Sequence, residues 1–165
     1  MAREDDLRII EQQERELVFD RFDEERAFRL GVTAHDLALS EKLGVAIDIR
    51  LWNRPLFFAA LSGSHGNNPD WARRKINTVG RYLKSTYRLV LEQKKTEQYF
   101  GPEANLPPSD FVLAGGGFPI IVTGAGAIGA IAVSGLPQRQ DHIVVVRMLC
   151  AHLGLDAQKY AIPAE

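Results

Sequence analysis

The stretch FVLAGGGFPIIVTGAGAIGAIAVSGL at Phe111–Leu136 decides the fold, because its 26 residues carry no charge and seven of them are glycine. Three interpretations compete for it. Its length suits a membrane-spanning helix. Its Gly124–Gly129 segment has the GxGxxG spacing of a dinucleotide-binding loop. Its breaks at Gly115–Gly117, Pro119 and Thr123–Gly126 are typical of short buried strands that are separated by tight turns.

Local detail argues against the first two interpretations. Three adjacent glycines and a proline interrupt the segment, and its flanks lack the lysine and arginine asymmetry that accompanies a membrane span. A dinucleotide-binding loop opens a helix and is followed by an acidic residue about 20 positions later. Here Ala127–Ser134 is rich in small and β-branched residues, and the first acid downstream, Asp141, comes too early. The stretch therefore predicts buried strands in a water-soluble protein.

The composition predicts one cytoplasmic domain over residues 1–165, with a helix and a strand in 1–22 and a tail in 156–165. The chain is 45% hydrophobic and 25% charged, which are ordinary values for a globular domain of 165 residues. Its beginning, MAREDDLRII, is too charged for a signal peptide. The single cysteine, Cys150, excludes an internal disulfide framework, agrees with a reducing compartment and leaves no cysteine pair for structural zinc.

Charge is unevenly distributed along the chain, although the net charge is only −1. Residues 1–29 hold ten acids against six arginines, whereas residues 71–95 hold eight basic residues against the single acid Glu92. Such runs are typical of solvated helix faces, or of surfaces that contact anions or another protomer. Because no aromatic interleaving or nucleic-acid motif accompanies them, the sequence does not favour nucleic acid as a partner.

Hydrophobic periodicity and cap residues predict the element order α-β-α-ββ-α-βββ-α. The predicted helices are Asp5–Glu16, one capped by Asp23 and stopped at Gly44, one that starts at Asn68-Pro69-Asp70 and runs through Val90, and one capped by Asp141 and closed by Gly154. The predicted strands are 17–22, Val45–Leu51, a more buried Leu56–Leu61, Phe111–Ala114, Phe118–Thr123 and Ala127–Ser134. Because short turns join neighbouring strands, we expect a mainly antiparallel sheet covered by helices, which is an α+β fold.

Two histidines lie where a ligand could bind. His65 lies in a glycine-bearing loop that leads to the helix start at Asn68, where free backbone N–H groups attract anions. His142 follows Asp141 at the last helix start, where the helix dipole disfavours the protonated imidazole and leaves a neutral metal ligand or base. Turn hydrogen bonds around His65, and capping by Asp141 with His142 on the surface, explain the same residues without a ligand.

The other reactive residue types indicate packing rather than catalysis. His35 and His152 lie within predicted helices among apolar neighbours. Cys150 lies in an apolar helix stripe, where burial would raise the pKa of its thiol and leave it unreactive. No GxSxG motif is present for a nucleophilic serine. These residues by themselves assign no reaction, so the sequence leaves open whether the protein is an enzyme.

Five short motifs follow one another along residues 45–155, and their ordered combination is more specific than any one of them. They are Gly63 followed by NPDW at Asn68–Trp71, ARRK at Ala72–Lys75, GGGFPI at Gly115–Ile120, IGAIAVSG at Ile128–Gly135 and DH at Asp141-His142. In this order they resemble the haem-degrading domain family, a GlcG-like and HbpS-like group, and most closely its branch of uncharacterised conserved proteins. The resemblance implies a profilin-like fold and a homo-oligomer built from dimers. It also implies haem or another anionic small molecule as ligand.

The same resemblance implies a ligand-binding site made of glycine loops and helix starts. Its candidate residues are His65, Asn68, Arg74, Lys75, Gly116, Gly117, Pro119, Ser134, Asp141 and His142. His65 or His142 would bind haem iron, and Lys75, Arg73 or Arg74 would pair with carboxylates such as propionates. The family often has Asp-Glu after its VSG motif. Here Asp141-His142 stands in that place, which puts an acid–base role for the second residue in doubt and supplies a candidate metal ligand instead.

The leading functional hypothesis is a small oligomeric cytoplasmic protein that binds haem or a related anionic molecule. Two alternatives stay open. One is a non-catalytic structural or adaptor protein that acts through its oligomeric surface. The other is an enzyme for a small phosphate or carboxylate metabolite, which the two helix starts beside glycine loops would favour.

Overall fold

A computed structural model describes residues 2–96 and 99–163, and in these ranges the chain forms five α-helices and four strands. The helices are α1 Ala2–Glu16, α2 Glu24–Ser40, α3 Asn68–Tyr82, α4 Thr86–Thr96 and α5 Gln138–Leu153. The strands are β1 Ala46–Leu51, β2 Arg54–Ala60, β3 Gly117–Val122 and β4 Gly126–Ser134. Short 3₁₀ helices occupy Pro102–Ala104 and Ala157–Tyr160.

The strands form one sheet in the order β2-β1-β4-β3, and every neighbouring pair is antiparallel. Two hairpins, β1–β2 and β3–β4, lie side by side and are joined along β1 and β4. In the middle of the sheet Ile49 lies opposite Phe57 of β2 and Ile131 of β4. The predicted α+β class, with an antiparallel sheet covered by helices, is confirmed.

Helices cover both faces of this sheet, as the hydrophobic pattern requires. On one face, α2 and α5 pack over the main core, which includes Ile47, Ile49 and Ile131. On the other face, α3 packs on the small residues Ala130 and Ala132 of β4. Small side chains on this face let the backbone of α3 approach the sheet closely. The start of α3 thereby comes to lie beside the end of β4.

The glycine-rich stretch Phe111–Leu136 supplies β3, β4 and the loops at their ends. Its GxGxxG segment, Gly124–Gly129, forms the β3–β4 turn and the beginning of β4, so it opens a strand rather than a helix. No helix within residues 2–96 and 99–163 is both long and apolar enough to cross a bilayer. The interpretation of this stretch as buried strands is confirmed for β3 and β4.

Two of the predicted strands are wrong. Residues 17–22 contribute one isolated bridge, between Phe19 and Val122, in place of a strand. Phe111–Ala114 is irregular because the backbone of Val112, in its middle, forms hydrogen bonds with the side chain of Thr78 in α3 instead of with a strand. The Thr78 hydroxyl donates to the carbonyl oxygen of Val112 and accepts from its N–H. Strand β2, predicted to be the more buried of its hairpin, is an exposed edge strand because the sheet order leaves one of its sides unpaired.

Three predicted helix boundaries also change. The long third helix is two helices, because Leu83 adopts the left-handed conformation with φ 57° and α4 restarts at Thr86. The N–H of Ser85 at this break donates to Glu14 of α1, which anchors the new direction. Helix α2 ends at Ser40 rather than Gly44, with Lys42 at φ 54°. Helix α5 starts at Gln138, so Asp141 lies inside it. The caps at Asp23 and Gly154 are confirmed.

The acidic stretch and the basic stretch form ion pairs with each other within the molecule. Arg88, from the basic stretch, pairs with Glu11 and Glu14 of the acidic N-terminal helix and with Glu92 of its own helix. The predicted tail at 156–165 is also ordered within its described part, because Tyr160 and Ile162 are buried against the core. Residues 164–165 lie outside the described residues.

Candidate functional site

A cavity of about 530 Å³ opens where α3 and α5 begin, beside the end of β4. This volume lies within the range of about 300–1,000 Å³ that is typical of small-molecule sites. Its lining comes from three stretches that are distant in sequence: His65, Asn67, Asn68, Trp71 and Lys75; Val112, Leu113 and Ala114; and Ser134, Gly135, Leu136, Gln138 and Asp141. Five of the ten predicted ligand-binding residues therefore meet at one cavity, and these are His65, Asn68, Lys75, Ser134 and Asp141.

Helix α3 presents three of its residues to the cavity because of their spacing. Asn68, Trp71 and Lys75 are separated by three and four positions, which places them on one face of a helix. Pro69 lies in the first turn, where its missing N–H costs no hydrogen bond. The start of α3 has few free donors, because the N–H of Asn68 donates to the carbonyl oxygen of His65 and Pro69 has no N–H. The N-cap of α5, Pro137, makes no side-chain capping bond, so the start of α5 offers the N–H of Gln138 at the cavity.

The inner wall of the cavity contains a buried ion pair between α3 and α5. Nζ of Lys75 donates to Oδ2 of Asp141 and to the carbonyl oxygen of Val133, each at 2.9 Å. The side chains of Lys75 and Asp141 are only 3% and 2% exposed. Oδ1 of Asp141 in turn accepts from the N–H of Leu136 at 3.0 Å. The pair therefore fixes α3, the end of β4 and α5 to one another.

Burial shifts both members of this pair towards their neutral forms. Desolvation lowers the pKa of Lys75, and the attraction of Asp141 opposes the shift. Desolvation likewise raises the pKa of Asp141, against the attraction of Lys75 and the backbone hydrogen bonds that Asp141 accepts. Because each charge is stabilised chiefly by the other, loss of either one leaves its partner buried without compensation.

Asn68 was predicted to be the N-cap of α3, but its side chain instead forms hydrogen bonds with other residues at the rim of the cavity. The N-terminal cap is Asn67, whose side chain makes no capping bond, and Asn68 is the first residue of the helix. Oδ1 of Asn68 accepts from the N–H of His65 at 2.6 Å. Nδ2 of Asn68 lies 3.5 Å from Oγ of Ser134, the end of β4. His65 is thus held by its backbone, while its imidazole is exposed at the rim.

Gly116, Gly117 and Pro119 lie outside the cavity lining, behind the ion pair and in β3. Gly116 has φ 127°, and its carbonyl oxygen accepts from the N–H of Val133. A Cβ at Gly116 would collide with the carbonyl oxygen of Val133 and would lie 2.9 Å from Nζ of Lys75. Glycine is therefore required here for close packing around Lys75 rather than for contact with a ligand.

The arginines of the ARRK motif are held by groups of the protein itself. Arg74 pairs with Asp70 at 3.0 Å, and its guanidinium carbon lies 4.4 Å from the ring centroid of Trp71. Arg73 pairs with Asp70 and with Asp110. Arg74 thus covers Trp71 from outside the cavity lining, and neither guanidinium lines the cavity.

His142 is fully buried and does not line the cavity, so it does not lie at the surface, where the explanation without a ligand places it. Its Nε2 lies 2.9 Å from Oε1 of Gln13, and Gln13 donates through Nε2 to the carbonyl oxygen of Tyr160. The imidazole lies between the rings of Tyr87 and Phe118. Desolvation lowers the pKa of His142 to about 3. Because α5 begins before Asp141, His142 turns inward instead of standing at the helix start.

Within the described ranges, no group of three or more His, Cys, Asp or Glu side chains is arranged to hold a metal ion. His65 is the one imidazole that lines the cavity. A metal that is already held in a macrocycle, such as haem iron, needs only one or two ligands from the protein. The donor set therefore does not fit a protein-built metal site, and it fits a single axial ligand.

Sequence reasoning missed the apolar wall of the cavity. Trp71, Val112, Leu113 and Leu136 line it beside the polar residues. Trp71 could have been found from its helical spacing to Asn68 and Lys75. Val112 and Leu113 could not, because they were predicted to form a strand.

Comparisons with known proteins agree with this fold. Residues 22–149 match the family of haem degrading HbpS-like proteins. A UPF0303 protein of Mesorhizobium japonicum is 54% identical over 165 residues, which is 100% of this chain and 99% of that protein.

Two crystal structures share the fold at low sequence identity. The Ybr137w protein superimposes with a TM-score of 0.80 at 24% identity, covering 91% of this chain and 89% of that chain. A PduOC:heme complex gives a TM-score of 0.67 at 18% identity, covering 79% and 94%. The family match covers well over half of the chain, and the UPF0303 relative covers all of it. The chain therefore belongs to the HbpS-like haem degrading protein family, among its UPF0303 relatives.

Proposed function

We propose that the cavity at the starts of α3 and α5 binds haem or a related planar, anionic small molecule. The observation that carries this proposal is the convergence of His65, Asn68 and Ser134 with an apolar wall on a single cavity. The start of α5 adds a backbone donor that favours a negatively charged group. Membership of a haem-degrading family supports the same ligand class.

Haem meets three features of this cavity. His65 supplies an exposed imidazole as the candidate axial ligand of the iron. Trp71, Leu113 and Leu136 supply apolar and aromatic surface for the porphyrin faces. The amide N–H of Asn68 and the hydroxyl of Ser134 are groups that can donate hydrogen bonds to carboxylates. Bound haem would supply redox-active iron at this site, while the protein residues bind and orient it.

We do not expect Lys75 to pair with a propionate, since Asp141 already holds its charge. The anionic group of a ligand would instead meet the backbone donor at the start of α5 and the side chains of Asn68 and Ser134. Lys75 and Asp141 would then act mainly by keeping the cavity wall in place.

Titration of the purified protein with hemin tests this proposal. We expect a Soret shift that saturates at about one haem per chain, and we expect His65→Ala to weaken binding at least about tenfold, or about 1.4 kcal/mol. His35→Ala is the matched control, because His35 lies on α2 with a 39% exposed side chain and does not line the cavity. A Soret response that is absent, or that survives His65→Ala unchanged, would contradict the proposal.

A thermal-shift series distinguishes haem from a smaller anion at the same cavity. A ligand that binds only the folded protein raises its melting temperature with concentration. Stabilisation by inorganic phosphate or citrate, in the absence of any response to hemin, would assign the cavity to a small anionic metabolite and would reject haem.

We further propose that the chain forms homo-oligomers in the cytoplasm. Exposed apolar side chains on α2 support self-association, with Phe28 at 59% and Leu39 at 60% exposure. Phe58 of the unpaired edge strand β2 is 48% exposed and adds to the same tendency. The buried free thiol of Cys150 agrees with a reducing compartment. Light scattering should give a molar mass of at least two chains, and a mass of 18.4 kDa would contradict this proposal.

A further inference from the structure

A second cavity, of about 250 Å³, lies between the end of the β1–β2 hairpin and the later turns of α3. It shares no lining residue with the first cavity. The residues that matter for its chemistry are Arg50, Trp52, Arg54, Asn77 and Gly80. Two of them are arginines and one is a tryptophan. A cationic and aromatic lining of this kind suits an anion that carries a flat ring.

Among the residues that the structure describes, the guanidinium of Arg50 forms hydrogen bonds through its Nε atom only. Its Nε donates to both carboxylate oxygens of Asp48, at 3.0 and 2.9 Å. Within residues 2–96 and 99–163 its two Nη groups have no hydrogen-bond partner, and the side chain is 32% exposed. The free edge of the guanidinium, formed by Nη1 and Nη2, offers two parallel N–H donors. This arrangement matches the geometry of a carboxylate.

Asp48 explains why the guanidinium has this orientation. Its side chain is 1% exposed, on the sheet face that α3 covers. Burial raises the pKa of Asp48, against the attraction of Arg50. A buried ion pair is often no more stabilising than apolar residues of similar size. The pair fixes the position of Arg50, and Asp48 is therefore a positioning residue.

Trp52 supplies the flat surface. Its Nε1 donates to the carbonyl oxygen of Ala127 at 3.3 Å, which fixes the indole beside the cavity. The indole packs on the backbone of α3 at Gly80, where a Cβ would lie 3.3 Å from its ring. The residue nevertheless remains 43% exposed. Arg54 pairs with Glu24, and its side chain is 49% exposed. Arg50 also has a carboxylate partner, but it is the less exposed of the two arginines and keeps both Nη groups for a ligand.

We propose that this second cavity binds a small carboxylate anion attached to a planar aromatic ring, of about the size of benzoate. The free edge of the Arg50 guanidinium receives the carboxylate, and Trp52 packs against the ring. This site is independent of the haem proposal, because the two cavities are separate.

The distribution of tryptophan gives a direct assay. The chain has two tryptophans, and each lines one of the two cavities. In a Trp71→Phe background, fluorescence therefore reports Trp52 alone. We expect benzoate to change this fluorescence saturably below about 10 mM, and Arg50→Lys to weaken the response at least about tenfold because lysine lacks the fork. Arg81→Lys is the matched control, since Arg81 is an exposed arginine of α3 outside the cavity.

Asp48→Asn tests the positioning role, with weaker benzoate binding although Arg50 is retained. Because loss of Arg50 alone would leave Asp48 buried without its cation, the Asp48→Asn/Arg50→Gln double variant provides a neutral pair. This double variant should keep the far-UV circular dichroism spectrum of the parent and lose the fluorescence response to benzoate. No saturable change in the parent, or an equal response in Arg50→Lys, would overturn the proposal. An equal response to acetate or inorganic phosphate would also overturn it, because the ring would then contribute nothing.

Discussion

Replacing Lys75 by methionine is expected to lower the free energy of unfolding by about 3–5 kcal/mol, because Asp141 would remain buried without its cation. Methionine keeps much of the length of the lysine side chain, so the loss reflects charge rather than an empty volume. Urea unfolding at neutral pH, with the slope compared between variants, measures the change.

Two further variants separate this effect from general damage to the fold. Lys75→Met/Asp141→Asn removes both charges, and it should recover a large part of the loss because no buried charge remains unpaired. Lys159→Met is the matched control, since Lys159 forms a comparable ion pair with Glu16 but its side chain is 57% exposed. Its unfolding midpoint should stay close to that of the parent. A double variant no more stable than Lys75→Met would contradict the account of the pair.

Lowering the pH from 7.5 to 4.5 is expected to remove about 2.5 kcal/mol of stability through His142 alone. The pKa of His142 falls from 6.5 to about 3 on folding, because the imidazole is buried between Tyr87 and Phe118. Between these two values the unfolded chain binds a proton that the native chain does not, so stability decreases as the pH falls. The contribution is fully retained above pH 6.5 and is lost progressively towards pH 3.

Unfolding free energies measured across this pH range test the assignment. His142→Gln keeps a donor for Oε1 of Gln13 but cannot titrate, so its stability should depend less steeply on pH. His152 contributes in the same direction, because burial also lowers the pKa of His152, and some slope should therefore remain. His35→Gln is the matched control, since His35 lies on α2 with a partly exposed side chain and its replacement leaves the surroundings of His142 intact. An identical pH dependence in His142→Gln and the parent would refute the role of His142.

Short-range signals were sufficient for much of this site. The Asn68-Pro69 start of α3, the strand ending at Ser134 and the loop of His65 could all be predicted, because caps, prolines and period-two patterns act within a few residues. These signals located His65, Asn68 and Ser134, which the structure brings together with Lys75 and Asp141 at one cavity. They could not show that Asp141 pairs with Lys75, since the two residues are 66 positions apart and meet only across the packed sheet.

His142 shows the opposite case. The sequence correctly predicted that His142 lies in the last helix, but which turn of α5 it occupies depends on where that helix starts. The N-cap is Pro137, four residues before the predicted cap Asp141, so His142 lies in the second turn of α5, where it is fully buried. Local propensity does not fix helix starts so closely, and only the packing of α5 against the core decides that His142 is buried.

The sequence by itself determined the class of fold, because the alternation of apolar residues and the glycine-rich breaks in Phe111–Leu136 allow strands and exclude a long helix. It also determined which family motifs are present. The tertiary structure alone decided that Phe111–Ala114 becomes a cavity wall, that β2 becomes an edge, and that Lys75 is neutralised by Asp141. These outcomes depend on which distant groups form hydrogen bonds with buried backbone N–H and C=O groups and which charges pair with buried charges. These partners are determined only when the helices and strands pack together.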